Sequence, residues 1–316
     1  MNLKKYLNNL DNKPDLIYTA YPTMTSAHIA GKYANNYEIS FVLDIQDIWP
    51  EAFKITTNLS DKIVNILTLP LTFYANKIYS LADFIIGVSD TFVQRACKLS
   101  YTTNKNLVVY IGTDLEYFDQ QKTNFNIEKN NQFWLTYIGT LSHSYDIKTV
   151  IKAVKEVEKE GYDDIKFKVI GTGPFEEQFK KVAKDINSPT EFLGYLKYEK
   201  MIPYLVNSDL ALNALKKSSM GSVTNKLGDY LASGLPILNS GSNQEVRNMI
   251  ENKKVGYNYK PGNVNELARL IIKLYKNNDK RETFSNNSRQ FAEDKFDRNI
   301  TYDKIYKVLE NLIKNY

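Results

Sequence analysis

At 316 residues the chain is longer than one ordinary domain, and its 43% hydrophobic and 24% charged residues place it among folded proteins, which excludes long disorder. The net charge of +5 favours anionic partners, but the lysines are scattered with no basic stripe interleaved with aromatics, which argues against a nucleic-acid binder. A single cysteine, Cys97, excludes an intrachain disulfide and a Cys-rich metal site, and no run of 18 apolar residues could span a membrane. The opening MNLKKYLNNLDNKPDL has lysines but no apolar segment of a secretory signal, so a cytoplasmic location is expected.

In chain order, short β-branched runs at DLIYTAY (15 to 21), ISFVLDI (39 to 45), FIIGVS (84 to 89) and NLVVYIG (106 to 112) predict strands, with helix-length segments between them. Within the first group, IVNILTLPLTFYANKIY (63 to 79) is apolar and broken at Pro70; it reads either as a buried helix pair or as a surface that lies on a bilayer. The polar DQQKTNFNIEKNNQ (119 to 132) is the linker candidate. Six more strands follow at FWLTYIG (133 to 139), KFKVIG (166 to 171), TEFLG (190 to 194), LALNAL (210 to 215), PILNSG (236 to 241) and VGYNY (255 to 259), and helices fill the tail from Val264.

The reading is an α/β protein of two Rossmann-like doubly wound domains. Residues 1–125 form an N-terminal domain, 126–295 a C-terminal one, and 296–316 a helix packing back towards the first. With four strands against six, the N-terminal domain is expected to be incomplete, with DLIYTAY at a sheet edge or completed by a partner chain or a second copy.

The stretch VTNKLGDYLASGLPIL (223 to 238) predicts a helix capped by Ser222 or Thr224 and ended by Gly234 and Pro236. Lys226 then lies in the first turn, where free amides and the helix dipole attract an anion, and Asp229 lies one turn on, able to accept from the hydroxyls of a ribose. The alternative is an exposed i,i+3 ion pair. Two glycine turns, at Gly139 in YIGTLSHSYD and at Gly171 and Gly173 in VIGTGPFEE, reach the same sheet edge, for a ligand or for backbone reasons alone. In the first domain DIQDIWPEAF (44 to 53) presents Asp47, Trp49 and Glu51 after a strand; Asp47 is either a base for an acceptor hydroxyl or a helix cap, with Trp49 packed in a seam. His28 and His143, the two histidines, have no metal-ligand spacing.

The motif order resembles that of the retaining glycosyltransferases of family 4 with the GT-B fold, in the bacterial branch that builds capsular and O-antigen polysaccharides. PDLIYTAYPT, DIQDIWPE, ADFIIGVSD and GTDLEYF are similar to its N-terminal segments, and YIGTLSHSYD, VIGTGP, EFLGYLKYEKMIPYLVNSDLALNAL and NKLGDYLASGLPIL to its donor-domain segments. The resemblance implies transfer of a hexosyl or N-acetylhexosaminyl group, with retention, from a nucleotide-sugar to an undecaprenyl-linked saccharide at the inner membrane surface. It implies catalytic roles for Asp47 and Lys226, and acceptor-side roles for Tyr21, Asp47, Trp49 and Glu51. The implied donor ligands are Gly139, Thr140, His143, Gly171, Gly173, Gly194, Tyr195, Ser222, Thr224, Asn225, Lys226 and Asp229. No cofactor is implied, and the lack of a D-x-D motif argues against a metal-dependent course.

Departures from the family pattern shape the alternative. The first glutamate of its E-x7-E pair falls at Gly221, the asparagine of its Asn-Gly turn is Ile111, and the Arg and Lys after the first donor strand are replaced by a loop offering His143. The rival reading is therefore a truncated, catalytically weak or inactive donor-binding subunit that needs a partner. A nicotinamide-dependent oxidoreductase is disfavoured, because G-x-G-x-x-G and its following acidic residue are missing.

Overall fold

The structure, a computed structural model, describes residues 3–51, 53, 61–98, 105–217 and 223–314. Its internal contacts divide the chain into two units, Met1–Tyr110 with Asn299–Tyr316, and Ile111–Arg298.

The first unit runs α1 (Leu3–Asn8), β1 (Leu16–Tyr21), α2 (Met24–Asn36), β2 (Ser40–Ile45), α3 (Asp61–Leu67), α4 (Leu69–Tyr79), β3 (Phe84–Gly87), α5 (Asp90–Cys97) and β4 (Asn106–Val108). Its strands are all parallel in the order β1-β2-β3-β4. Every residue of β2 is buried, as a parallel strand covered on both faces requires, whereas β1, at the sheet edge, is half-buried or exposed up to Tyr21, its one buried residue. Pro70 sits in the first turn of α4, where its missing N–H costs nothing, so the proline starts the second helix of a pair instead of kinking one.

The second unit runs α6 (Leu115–Gln121), β5 (Phe133–Ile138), α7 (Ile147–Lys159), β6 (Ile165–Ile170), α8 (Glu176–Asp185), β7 (Thr190–Gly194), α9 (Tyr198–Val206), β8 (Leu210–Asn213), α10 (Asn225–Ala232), β9 (Ile237–Asn239), α11 (Gln244–Asn252), β10 (Gly256–Asn258), α12 (Val264–Tyr275) and α13 (Asn278–Lys295). The parallel sheet has the order β10-β9-β8-β5-β6-β7, so its winding reverses between β5 and β8. Leu135 and Tyr137 of β5, Phe167 of β6, Val150 and Val154 of α7 and Ile271 of α12 belong to one continuous core on one face of this sheet. The last helix, α14 (Arg298–Lys314), belongs from Asn299 onward to the first unit, where Ile305, Leu309 and Leu312 pack on Val42, Ile86 and Val109.

The division at Tyr110/Ile111 moves the expected boundary at 125/126, and the polar stretch from Asp119 is not a free linker. Asp119 lies in the last turn of α6, and Arg289 of α13 grips its carboxylate with two hydrogen bonds of 2.8 and 2.7 Å. Tyr117 of α6 also stacks on Tyr198 of α9 at 6.2 Å. These contacts, with the buried Leu115 and Phe118, tie α6 into the second unit, so the first residues of the polar stretch belong to a packed helix.

Candidate functional site

The reversal of strand order opens a crevice at the carboxyl ends of β5 and β8, the place where doubly wound sheets take ligands. The two strands pair at Leu135↔Leu210 and Thr136↔Ala211. Beyond that point the buried hydroxyl of Tyr230, from α10, stands between them: it accepts from the Ile138 amide at 3.0 Å and donates to the Leu212 carbonyl at 3.1 Å. A cleft of about 630 Å³ lies over this point. It is lined by Ile138, Gly139, Thr140 and Tyr145 after β5, by Tyr195, Leu196, Tyr198 and Met201 around the start of α9, and by Thr224, Asn225, Lys226 and Asp229 at the start of α10.

Lys226 is only 8% exposed. Its Nζ donates to the Tyr137 hydroxyl at 3.1 Å and lies 4.4 Å from the centre of the Tyr137 ring and 3.7 Å from that of Tyr145. Burial pushes the ammonium down to about 7, and no neighbouring charge opposes the shift. The expected alternative, an exposed ion pair with Asp229, is therefore not what forms; the lysine is a desolvated amine held by aromatic faces, with no anion beside it among the described residues.

Asp229, one turn further along α10, turns Oδ1 to the hydroxyls of Thr113 (2.8 Å) and Tyr198 (2.7 Å), leaving Oδ2 for an incoming donor. Burial raises its carboxyl above the usual range, against the lowering effect of those two bonds and of Arg298. Thr224 takes the N-cap backbone position of α10, but its side chain caps nothing and its Oγ1 is buried without a partner. The start of α10 thus gathers a buried ammonium, an unused hydroxyl and first-turn amides, a set suited to an anion with several oxygens. Ser222, the other capping candidate, lies outside the described residues.

Gly139, Thr140, Tyr195, Thr224, Asn225, Lys226 and Asp229 converge on the cleft, and four expected donor ligands stay out of its lining. A Cβ on Gly171 would lie 2.1 Å from the Gly139 carbonyl oxygen and one on Gly173 2.4 Å from that of Leu141, so these two glycines let the neighbouring loops touch. Gly194, at φ +68°, ends β7 and turns the chain so that Tyr195 reaches the cleft. His143 is exposed, because the Leu141 amide is bonded to Thr172 and its carbonyl to Phe175; these bonds hold down the base of the loop, and the imidazole lies beside the Phe175 ring.

In the first unit Tyr21 is fully buried, its hydroxyl donating to the Trp49 carbonyl at 2.7 Å, and burial pushes it up to about 12. Glu51 is ion-paired with Arg95, which also donates to Asn76 at 3.1 Å. Trp49 packs edge-on against Phe53. Tyr21 and Glu51 thus both help to hold this loop. Asp47 is half-buried, and its Oδ1 accepts from the adjacent Ile48 amide at 2.8 Å.

Sequence reasoning passed over Tyr137, Tyr145 and Tyr198, the aromatic and hydroxyl groups that position Lys226 and Asp229. A tyrosine on a buried strand or at a helix start has the same pattern as a core residue. The signal available was that Tyr137 and Tyr145 bracket the same glycine turn.

Comparison with known proteins places these observations. The chain is 25% identical over 243 residues to an uncharacterised glycosyltransferase of Methanocaldococcus jannaschii, an alignment covering 75% of this chain and 60% of the relative. The match therefore spans about 60% of that relative's length. Among solved structures it is similar to HepE from Anabaena in complex with UDP, with a TM-score of 0.72 at 16% identity, covering 98% of this chain and 82% of that one. It is equally similar to a sucrose-phosphate synthase from Thermosynechococcus elongatus, with a TM-score of 0.72 at 14% identity and coverage of 99% and 77%. Two Rossmann-like parallel sheets are the GT-B arrangement of strands. Residues 119–291, which carry the whole sheet of the second unit and the cleft above it, match the model of the glycosyl transferases group 1 family, and the chain belongs to that family.

Proposed function

We propose that the protein is a retaining glycosyltransferase of family 4, moving a sugar from a nucleotide-sugar to a lipid-linked saccharide in the synthesis of a bacterial surface polysaccharide such as capsule. The observation that carries the donor half is Lys226, a buried ammonium with no carboxylate beside it among the described residues, at the open start of a helix over the reversal point of the sheet. In this reading Lys226, the Thr224 hydroxyl and the first amides of α10 hold the diphosphate, and Asp229 Oδ2 accepts from the ribose. Negative charge grows on the departing diphosphate oxygen as the sugar leaves, so the lysine acts most strongly in the transition state. Asp47, in the first unit, is the proposed acceptor-side base. The family-4 assignment and the retention of configuration are supported by the motif order.

HepE from Anabaena was solved with UDP and with UDP-glucose, which makes uridine nucleotides the first probes. Calorimetry on the full chain should show UDP or GDP binding that Asp229→Ala weakens about tenfold, the scale of a charge-assisted hydrogen bond. Dissociation constants unchanged for both nucleotides would remove Asp229 from the site.

The lipid-linked acceptor is supported by the first unit's surface. Among the described residues no helix is long and apolar enough to cross a membrane. On α3 and α4, however, Ile66 and Phe73 are 72% and 66% exposed, and Leu67 and Leu69 more than half exposed. Of the two readings of this stretch, a surface lying on a bilayer fits such exposure, and Lys77 in the last turn of α4 adds attraction to anionic lipid. The proposed place of action is accordingly the cytoplasmic face of the plasma membrane, peripherally bound. Co-sedimentation with anionic liposomes should fall severalfold in Ile66→Ser/Phe73→Ser and weaken with salt; equal pelleting of parent and variant, or indifference to lipid charge, would count against it.

A further inference from the structure

Two lysines are deeply buried among the described residues, and their surroundings differ in one respect. Lys168 of β6 donates to the carboxylate of Glu191 at 2.6 Å, so its charge is met by a counter-charge. Lys226, buried to the same degree, has two tyrosine rings and a phenol around it instead.

That phenol leaves the lone pair of the amine unused. The Tyr137 hydroxyl donates its one proton to the Thr140 carbonyl at 2.9 Å, so towards Nζ it can only accept. Gly139 has no side chain to close off the space beside the amine; a Cβ there would stand 3.1 Å from Nζ. The ionisable groups around it carry no free charge. The phenols of Tyr137 and Tyr145, from β5 and the loop after it, are raised by burial and stay neutral, as does Tyr198 of α9. Asp229, one turn further along α10, spends its Oδ1 on Thr113 and Tyr198. A desolvated lysine of this kind is a nucleophile, and with burial holding it at about 7 a large share of it is neutral near neutral pH.

We propose that Lys226 is a site of reversible CO2 addition, its Nζ forming a carbamate. The amine lone pair makes the N–C bond, one C=O π pair moves onto oxygen, and the nitrogen releases a proton to solvent, so CO2 is the one co-reactant. CO2 is small and uncharged, and a buried position walled by tyrosines does not exclude it as it excludes bicarbonate. The place of Lys226 in the first turn of α10 favours the negative charge of the product. The carbamate site stands whether or not the cleft takes a nucleotide. Where it does, an anion occupies the place proposed for the diphosphate and CO2 opposes donor binding, a consequence that rests on the function proposed above.

The full chain, equilibrated with CO2 and bicarbonate at about pH 7.5, is treated with a trialkyloxonium salt that alkylates carbamates, and its peptides are read by mass spectrometry. At that pH about three quarters of Lys226 is neutral against roughly one in a thousand of an ordinary lysine, so its adduct should exceed that at any other lysine at least tenfold. Lys168 is the buried control and should stay at the level of exposed lysines, because Glu191 engages its nitrogen. In guanidinium chloride the preference for Lys226 should vanish. No adduct at Lys226, one no stronger than at Lys168, or a preference that survives unfolding overturns the proposal. Saturating UDP should protect Lys226; an adduct formed equally with UDP present supports the carbamate site and counts against the diphosphate reading instead.

Discussion

Lys226→Met is expected to lose UDP affinity by roughly 10- to 100-fold and yet to melt at a higher temperature than the parent at pH 6. The loss follows from removing the buried cation that the described residues give the cleft, since charge-assisted contacts are worth about 1.5–3 kcal/mol. The gain follows from the same burial. Lys226 is lowered from 10.5 to about 7, so between those values the unfolded chain holds a proton that the folded chain releases, and folding stability rises with pH across that window. Below about 7 the folded protein carries the full cost of a buried charge. Methionine fills similar volume without it, and replacement of buried charge by apolar groups stabilises by roughly 1–4 kcal/mol. Calorimetry and thermal melts on one pair of proteins test both halves; a variant that melts lower at pH 6 would mean that the lysine has an anionic partner in solution.

Nucleotide affinity should fall as pH rises from 7 to 9, by a factor on the order of 50. The diphosphate binds the ammonium form, and with Lys226 at about 7 in the empty cleft that form is depleted tenfold per unit above this value. UDP is already fully ionised on its phosphates over most of this range, its second phosphate ionisation lying near 6. The phenols of Tyr137 and Tyr145, which face the lysine, are raised by burial and stay neutral. Near pH 8 binding should take up close to one proton, read as different calorimetric heats in buffers of different ionisation enthalpy. Lys226→Met should show neither the uptake nor the slope; a flat affinity in the parent would show that the lysine is already protonated before the nucleotide arrives.

Both arrays of strands were legible as apolar runs because a parallel strand buried on two faces leaves no polar alternation to confuse it, as SFVLDI shows in β2. The place of Lys226 and Asp229 followed from capping grammar alone, since Thr224 and Gly234 bound α10 closely. What stayed hidden depended on partners far away in sequence. Nothing in DQQKTNFNIEKNNQ announces that Asp119 meets Arg289, 170 positions on, so the last turn of a helix tied into the second unit read as the start of a linker. Nothing local distinguishes apolar residues facing a core from those facing outward, so the exposure of Ile66 and Phe73 was left between two readings. Tyr21 and Glu51 looked available because their buried partners, the Trp49 carbonyl and Arg95, become neighbours only in the folded loop.

Tyr230 sets the precision of the cleft. Where β5 and β8 part, the sheet gives up the ladder that fixes distances elsewhere in it, and one phenol takes over by bonding to both strands. The same helix carries Lys226 four residues earlier and Asp229 next to it. The gap between the two strand ends and the height of the lysine above them are thus gauged by a single rigid ring, which flexes far less than a loop of equal span. A crevice can open in this sheet without becoming loose, because the spacer that props it apart is part of the element that lines it.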